Sequence, residues 1–324
     1  MATLSQISSA FTEYLAAQKE NGQPRELYEP IEYILSLGGK RVRPLLVLIG
    51  SDLFNGNKEE ALPASMAVEY FHNFSLLHDD IMDVAPLRRG QPTVHEKWNS
   101  NVAILSGDAM LVRAYQWLMH IPDRHCHEVM RLFNKTAIEV CEGQQLDMNF
   151  ETRNDVTVEE YLHMISFKTS VLLAASLAIG ARIAGANEQQ IDLCYDYALH
   201  LGIGFQLQDD YLDLYGHPDK VGKQVGGDIL ANKKTYLVLR AMEKGSEQQK
   251  AALKALMANS HLTSDQKVYQ AKALLEELDI PAEVQKMIGH YFEKAKAIQK
   301  NLALHPEKDA LLTELYAMVT GRES

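Results

Sequence analysis

Asp79-Asp80-Ile81-Met82-Asp83 and Asp209-Asp210-Tyr211-Leu212-Asp213 share one pattern, DDxxD, and each closes an apolar run. The runs extend from Phe71 to His78 and from Leu201 to Gln208. On a helix, residues four apart share a face, so Asp79 lies over Asp83 and Asp209 over Asp213. Each like-charged pair of this kind costs a helix on the order of 0.2–0.5 kcal/mol. A chain that does this twice, inside its most apolar helices, calls for a compensating cation. Ligands that are all oxygen favour a hard ion, and Mg2+ typically takes one or two carboxylates together with phosphates and water. A solvated acidic helix end would explain one pentad, but a repeat with the same internal spacing points to a metal-binding pair.

The rest of the chain also reads as helix. Apolar residues recur at 3.6-residue spacing through most of the 324 residues, whereas period-2 alternation bounded by turns hardly occurs. Hydrophobic residues make up 46% and charged residues 23%, a globular composition, and no Pro/Gly/Ser-rich linker divides the chain. We therefore expect an all-α fold, a single domain over residues 1–324. The formal net charge of −11 argues against a nucleic-acid partner. Cys126, Cys141 and Cys194 lack metal-ligand spacing and are too few for a disulfide framework, which points to a reducing cytoplasm. Met1 to Gln18 has no basic start followed by a long apolar core, so no signal peptide is expected. The longest apolar stretch, Val171 to Gly180, falls short of the roughly 20 residues of a spanning helix. A buried helix in a soluble protein, without stable membrane insertion, is the expectation.

Basic residues gather beside the pentads. A helix over 4–20 ends at Asn21-Gly22-Gln23-Pro24, and a second runs to about Leu37 and stops at Gly38-Gly39. Lys40-Arg41-Val42-Arg43-Pro44 follows and opens the apolar helix Leu45 to Phe54; cations at a helix start make an anion site. The first pentad ends a helix over 63–84 that Pro86 stops, and the basic turn Arg88-Arg89-Gly90-Gln91-Pro92 comes nine residues past Asp79. Those arginines either hold phosphate or neutralise the pentad directly. His125-Cys126-His127 has poor spacing for tetrahedral zinc and reads as a solvated turn. Glu142 to Asp147 reads as a polar interruption of a helix, and Thr157-Val158-Glu159-Glu160 as the capping box of the next. Lys168-Thr169 precedes a run of small apolar residues, with the lysine either snorkelling outward or facing an internal anion. After the second pentad come Gly222-Lys223-Gln224-Val225-Gly226-Gly227-Asp228 and Lys233-Lys234-Thr235, glycine and lysine beside carboxylates but not a P-loop. Residues 240–324 read as amphipathic scaffold.

Taken together, these motifs resemble the trans-isoprenyl diphosphate synthases, or polyprenyl synthetases, over roughly residues 35–240. The resemblance rests on Gly38 to Pro44, the first pentad with Arg88-Arg89, Lys168-Thr169, Phe205-Gln206-Leu207-Gln208 leading into the second pentad, and the Gly222 to Asp228 loop with Lys233. It implies a large helical bundle around a deep central cavity, usually a homodimer. It implies Mg2+ on Asp79, Asp83 and Asp209, with Asp80, Asp210 and Asp213 in support. Arg88, Lys168, Thr169, Gln206, Lys223 and Lys233 would hold the allylic diphosphate; Lys40, Arg43, His72 and Arg89 would hold isopentenyl diphosphate. The implied activity is head-to-tail condensation of isopentenyl diphosphate with dimethylallyl, geranyl or farnesyl diphosphate, by ionisation, condensation and elimination. No dedicated protein base is required, and no nucleophile–His–Asp arrangement is found in the sequence.

The first pentad lacks the two-residue insertion of many bacterial short-chain members, and the C-terminus Gly321-Arg322-Glu323-Ser324 is not strongly basic. Two rivals are a class I terpene cyclase, which would normally replace the second pentad, and a non-catalytic subunit of a heteromeric synthase, which would usually lose part of one. Both pentads are whole here. Product length is read from the helix face N-terminal to Asp79, which presents Ser75 and Phe74 one turn away, then Phe71 and His72. A large Phe74 beside a small Ser75 goes, by the same resemblance, with C20 rather than C15 products.

Overall fold

Helix-forming periodicity dominates the sequence, and in the computed structural model, which describes residues 3–216, 225–259 and 261–321, helices account for nearly all regular structure. The exception among the described residues is a hairpin of two short strands, β1 Leu87–Arg88 and β2 Gln91–Pro92, with Leu87 opposite Pro92 and Arg88 opposite Gln91. The chain divides into two compact units.

The first unit holds residues up to Asn134, Ala175–Tyr195 and Leu304–Leu312. Its helices are α1 Leu4–Ala17, α2 Arg25–Ser36, α3 Val42–Leu53, α4 Lys58–Met82, α5 Val94–Lys97 and α6 Ser100–Leu118. Helix α3 starts three residues earlier than its apolar run, because Pro44 sits in the first turn, where a missing N–H costs no hydrogen bond. Helix α4 likewise starts ahead of Pro63, under an Asn57 cap that accepts from the Glu59 amide at 3.0 Å. It packs along α6 and α3 and buries Met66, Tyr70, Phe71 and Leu77 completely. Gly50 of α3 and Gly180 meet another backbone so closely that a Cβ would lie 2.2 Å from the Leu177 oxygen and 1.9 Å from the Val47 oxygen respectively. Only glycine permits that crossing.

The second unit holds Lys135–Ala174, Asp196–Ala303 and residues from Thr313 onward. Helix α7, Asp123–Thr152, begins in the first unit and runs unbroken through Glu142–Asp147 in the second, so the polar stretch is a helix face and not an interruption. His125-Cys126-His127 lies in the first turns of α7 rather than in a free turn, with His127 paired to Glu128 at 3.0 Å. The capping box forms as expected: Thr157 Oγ1 accepts from the Glu160 amide at 3.2 Å and Glu160 Oε2 from the Thr157 amide at 2.9 Å. It starts α8, Val158–Ile165, which passes into a π-helical turn at Ser166–Ser170 and then α9, Val171–Ile183. The run Val158–Ile183 is therefore 26 residues, long and apolar enough by composition to cross a membrane, although 78% of its most apolar window is buried in the protein. A reading of Val171 to Gly180 alone makes the stretch too short to span, because the joining of the three segments leaves no mark in the sequence. Helix α10, Glu188–Tyr215, carries the second pentad; α11 Gly227–Leu230, α12 Tyr236–Lys244, α13 Glu247–Ala258, α14 Ser264–Glu277, α15 Ile280–Asn301 and α16 Pro306–Thr320 follow.

Candidate active site

In the first unit the pentad closes α4. Asp80 points inward, 1% exposed, and accepts from Arg88 Nε at 2.9 and 2.8 Å and from Nη2 at 2.6 Å. Arg88 Nη2 also stands 3.6 Å from Asp79. Burial pulls the Arg88 guanidinium down, but Asp80, then Asp79 and Asp83, outweigh it and hold its pKa above the ordinary value. Arg88 thus neutralises part of the pentad through Nε and Nη2. Asp79 is partly buried, and Asp83, one turn on, is exposed.

Arg89 takes a different partner. The Arg89-Gly90 turn of the hairpin has φ of 53° and 76°, the two positive values of a type I′ turn. This sends the Arg89 side chain to the Gly38 carbonyl and over Gly39, where a Cβ would come within 2.7 Å of its guanidinium carbon. Arg43, in the first turn of α3, places Nη1 3.0 Å from His72 Nε2. Arginine only donates, so His72 Nε2 accepts and the ring is neutral with its proton on Nδ1. Burial first, then Arg43, Arg89, Arg88 and Arg41, push the His72 pKa well below its ordinary value. Burial likewise lowers Arg43 to about 10, opposed by Glu69 and aided by Arg89. Arg43 Nε is buried with no hydrogen-bond partner, the mark of a site shaped for an anion. Lys40 is exposed at the edge of this cluster.

The chain-length candidates also lie in the first unit. Phe71 is buried, with ring centroids 5.6 Å from Phe74 and 5.3 Å from Phe133. Phe74 is partly exposed and meets His78 edge-on at 4.8 Å. Ser75 Oγ donates to the His72 carbonyl at 2.8 Å.

In the second unit, Lys168 and Thr169 sit on the π-helical turn, a device that re-aims side chains at the cost of regular hydrogen bonding. Gly143 of α7 makes room for that turn: a Cβ there would lie 2.2 Å from the Lys168 amide nitrogen. Lys168 Nζ pairs with Asp147 Oδ2 at 2.5 Å. Thr169 Oγ1 donates to Gln206 Oε1 at 3.2 Å, and Gln206 Nε2 donates to Asp210 Oδ1 at 3.1 Å. The Tyr161 hydroxyl donates to Asp210 Oδ2. Burial, then Asp228, push the Asp210 carboxyl up to about 8, against the pull of the Tyr161 and Gln206 hydrogen bonds. Asp213 Oδ2 accepts from the Asp228 amide at 3.0 Å and so fastens the start of α11. Lys168, Thr169, Gln206, Asp210, Asp228 and Lys233 line one cavity of about 110 Å³, large enough for a phosphate group and water. Lys234 instead donates to the Glu151 carbonyl at 3.1 Å, capping α7. Lys223 lies outside the described residues.

Three residues of these clusters, Tyr161, Asp147 and Glu69, are absent from the motifs of the sequence. Asp147 stands within the polar stretch of α7, and Glu69 within an apolar run three residues before His72, so both gave a signal. Tyr161 gave none beyond its place after the capping box.

The polyprenyl synthetase family model matches residues 24–275. The chain belongs to the polyprenyl synthetase family. The synthetase is 42% identical over 252 residues to a short chain isoprenyl diphosphate synthase of Methanocaldococcus jannaschii, covering 78% of this chain and 76% of that one. A crystal structure of a geranylgeranyl pyrophosphate synthase, 44% identical, superposes over the full length of both chains with a TM-score of 0.95. A polyprenyl synthase from Caulobacter crescentus CB15, crystallised with calcium and isoprenyl diphosphate, is 25% identical with a TM-score of 0.86 over 99% of this synthetase and 97% of that chain. The all-α fold is that of the family, and the synthetase is a prenyltransferase of short-chain prenyl diphosphate synthesis.

The synthetase's own donors suit a divalent ion. Each pentad offers carboxylate oxygen ligands alone. That donor set fits an ion that takes one or two carboxylates and completes its shell with phosphate and water.

Proposed function

We propose that the synthetase condenses isopentenyl diphosphate head to tail with dimethylallyl, geranyl and farnesyl diphosphates, with Mg2+, and that C20 is favoured over C15 as product. The observation that carries this reading is the pairing of each pentad with its own cationic pocket: Arg43, Arg89 and neutral His72 in one unit, Lys168 and Lys233 in the other. Asp79, Asp83 and Asp209 would hold the metal, which supplies electrostatic stabilisation of the departing diphosphate. Lys40, Arg43, His72 and Arg89 bind isopentenyl diphosphate; Arg88, Lys168, Thr169, Gln206, Lys223 and Lys233 bind the allylic diphosphate. Asp80, Asp210 and Asp213 position these groups through Arg88, Gln206 and the Asp228 amide.

The allylic C–O bond breaks with its electron pair leaving on diphosphate. The isopentenyl double bond attacks the resulting cation, and a proton is lost to the departing diphosphate. Cations of the chain orient both diphosphates and stabilise the growing negative charge, while Phe74, with Ser75 beside it and Phe71 behind, sets a floor for the growing tail.

We read the chain as one functional domain acting in the cytoplasm as a homodimer. Support for a second copy comes from α6 and the residue that caps it, where Leu105, Val112 and Met119, seven residues apart, are 59%, 58% and 74% exposed and form an apolar stripe. Purified chain given dimethylallyl and isopentenyl diphosphates with Mg2+ should yield geranylgeranyl diphosphate by chromatography. Absence of any elongated product, or turnover of the allylic substrate alone, would overturn the reading.

A further inference from the structure

Glu69 belongs to neither pentad and to no motif of the sequence, yet its side chain is only 2% exposed in the middle of the basic cluster. A carboxylate removed from water this far must be held by cations and hydrogen bonds. Glu69 Oε1 accepts from Arg41 Nη1 and, at 2.8 Å, from Asn73 Nδ2, while Asn73 also reaches back to the Glu69 carbonyl at 2.8 Å. Arg41 in turn donates Nη2 to the Leu35 carbonyl near the end of α2. Arg41 is itself the residue before α3 and adopts φ 47° and ψ 40°, a left-handed conformation that a side chain with a Cβ keeps only when its surroundings enforce it.

The Arg41–Glu69 pair therefore fastens three things at once: the end of α2, the start of α3 and the middle of α4. Between the first two lies Gly38-Gly39-Lys40, and two residues after Arg41 comes Arg43, whose guanidinium meets His72 on the same helix as Glu69. Burial lowers the pKa of both Arg43 and Arg89, and the negative charge of Glu69 opposes that lowering in each, while its direct ion pair is with Arg41.

We propose that Glu69 is a positioning residue of the isopentenyl diphosphate pocket, fixing residues 38–43 through Arg41 so that Arg43 and Arg89 face the diphosphate. The inference rests on the proposed binding of isopentenyl diphosphate at this cluster. Glu69 touches neither substrate; it orients the groups that do. A misplacement of about 1 Å in such groups costs on the order of 10²-fold.

The test is steady-state kinetics of the full chain in both substrates, with hydrogen exchange of the amides at 38–43. Glu69→Gln keeps the shape and the acceptor but removes the charge. It should raise KM for isopentenyl diphosphate by about 10- to 100-fold, leave kcat and the allylic KM within about twofold of wild type, and speed exchange at 38–43. Arg41→Met should do the same, and the double variant should be no worse than either single one, as expected for groups acting as a unit. Should Glu69→Gln fail to fold, Arg41→Met/Glu69→Met leaves no buried charge unpaired and carries the same expectation. Equal changes in both KM values, or a loss confined to kcat, would overturn the proposal, as would unchanged exchange at 38–43. Arg43→Ala separates the two claims. If that variant leaves the isopentenyl diphosphate KM unchanged, the assignment of the pocket fails, and faster exchange at 38–43 in Glu69→Gln would still sustain the fastening by Glu69.

Discussion

Arg43 and His72 meet as donor and acceptor, and that contact exists only while the imidazole is neutral. Unfolded, a histidine takes up its proton near pH 6.5; folded, His72 resists it, because burial and four arginines hold its pKa well below that value. A group with a depressed folded pKa gives stability that is complete above the unfolded value and is lost as pH falls toward the folded one. Below about pH 6.5 each further unit should therefore remove up to about 1.4 kcal/mol through His72. Thermal unfolding of wild type and His72→Gln between pH 7.5 and 5.5 checks this: wild type should lose the more stability, and parallel curves would refute it. At the pentads the expectation concerns turnover. Asp79→Ala and Asp209→Ala should each lower kcat by on the order of 10²–10³-fold, with unchanged far-ultraviolet circular dichroism, since removing a carboxylate from an acidic cluster relieves repulsion. Unaltered turnover at saturating Mg2+ would remove that pentad from the metal site.

Among the elements, helices were legible where periodicity and punctuation agreed. The Thr157 capping box, the stop at Gly38-Gly39 and the stop before Pro86 are all where the sequence places them. Helix starts were less legible, since Pro44 and Pro63 read as boundaries although Pro44 sits harmlessly in the first turn of α3 and Pro63 lies inside α4, five residues past its start. The π-helical turn at Ser166–Ser170 had no sequence signal, because its cause is tertiary: the Gly143 backbone of α7 lies against it. Side-chain partners across elements, such as Tyr161 with Asp210 or Arg41 with Glu69, were beyond reach for the same reason. Within α4, Phe74 stands one turn before the pentad, between Phe71 and His78. A turn of helix is about 5.4 Å, close to one isoprene unit. Phe74→Ala should lengthen the product by at least one unit, visible by reversed-phase chromatography; an unchanged distribution would leave Phe74 as packing alone.

For the whole molecule, the α6 stripe leads to an assembly test. Leu105→Glu/Val112→Glu should convert a dimer to monomer on size-exclusion chromatography with light scattering, and a retained dimer would place the interface elsewhere. The acidic balance of the chain, net −11, conceals how unevenly its cations are spread. Arg41, Val84 and Arg89, all around the first pentad and the basic pocket, have positive φ of 47°, 49° and 53°. Non-glycine residues in such conformations cost of order 1–3 kcal/mol each. Val84, branched at Cβ and 73% exposed, is held there without a site role, so Val84→Asn should raise stability by about 1 kcal/mol in urea unfolding at unchanged KM. The same relief at Arg41 or Arg89 would remove a cation from the pocket. Selection for heat resistance alone would thus erode substrate capture before it touched the core, and a thermostabilised variant of this enzyme is best sought outside residues 38–43 and 88–90.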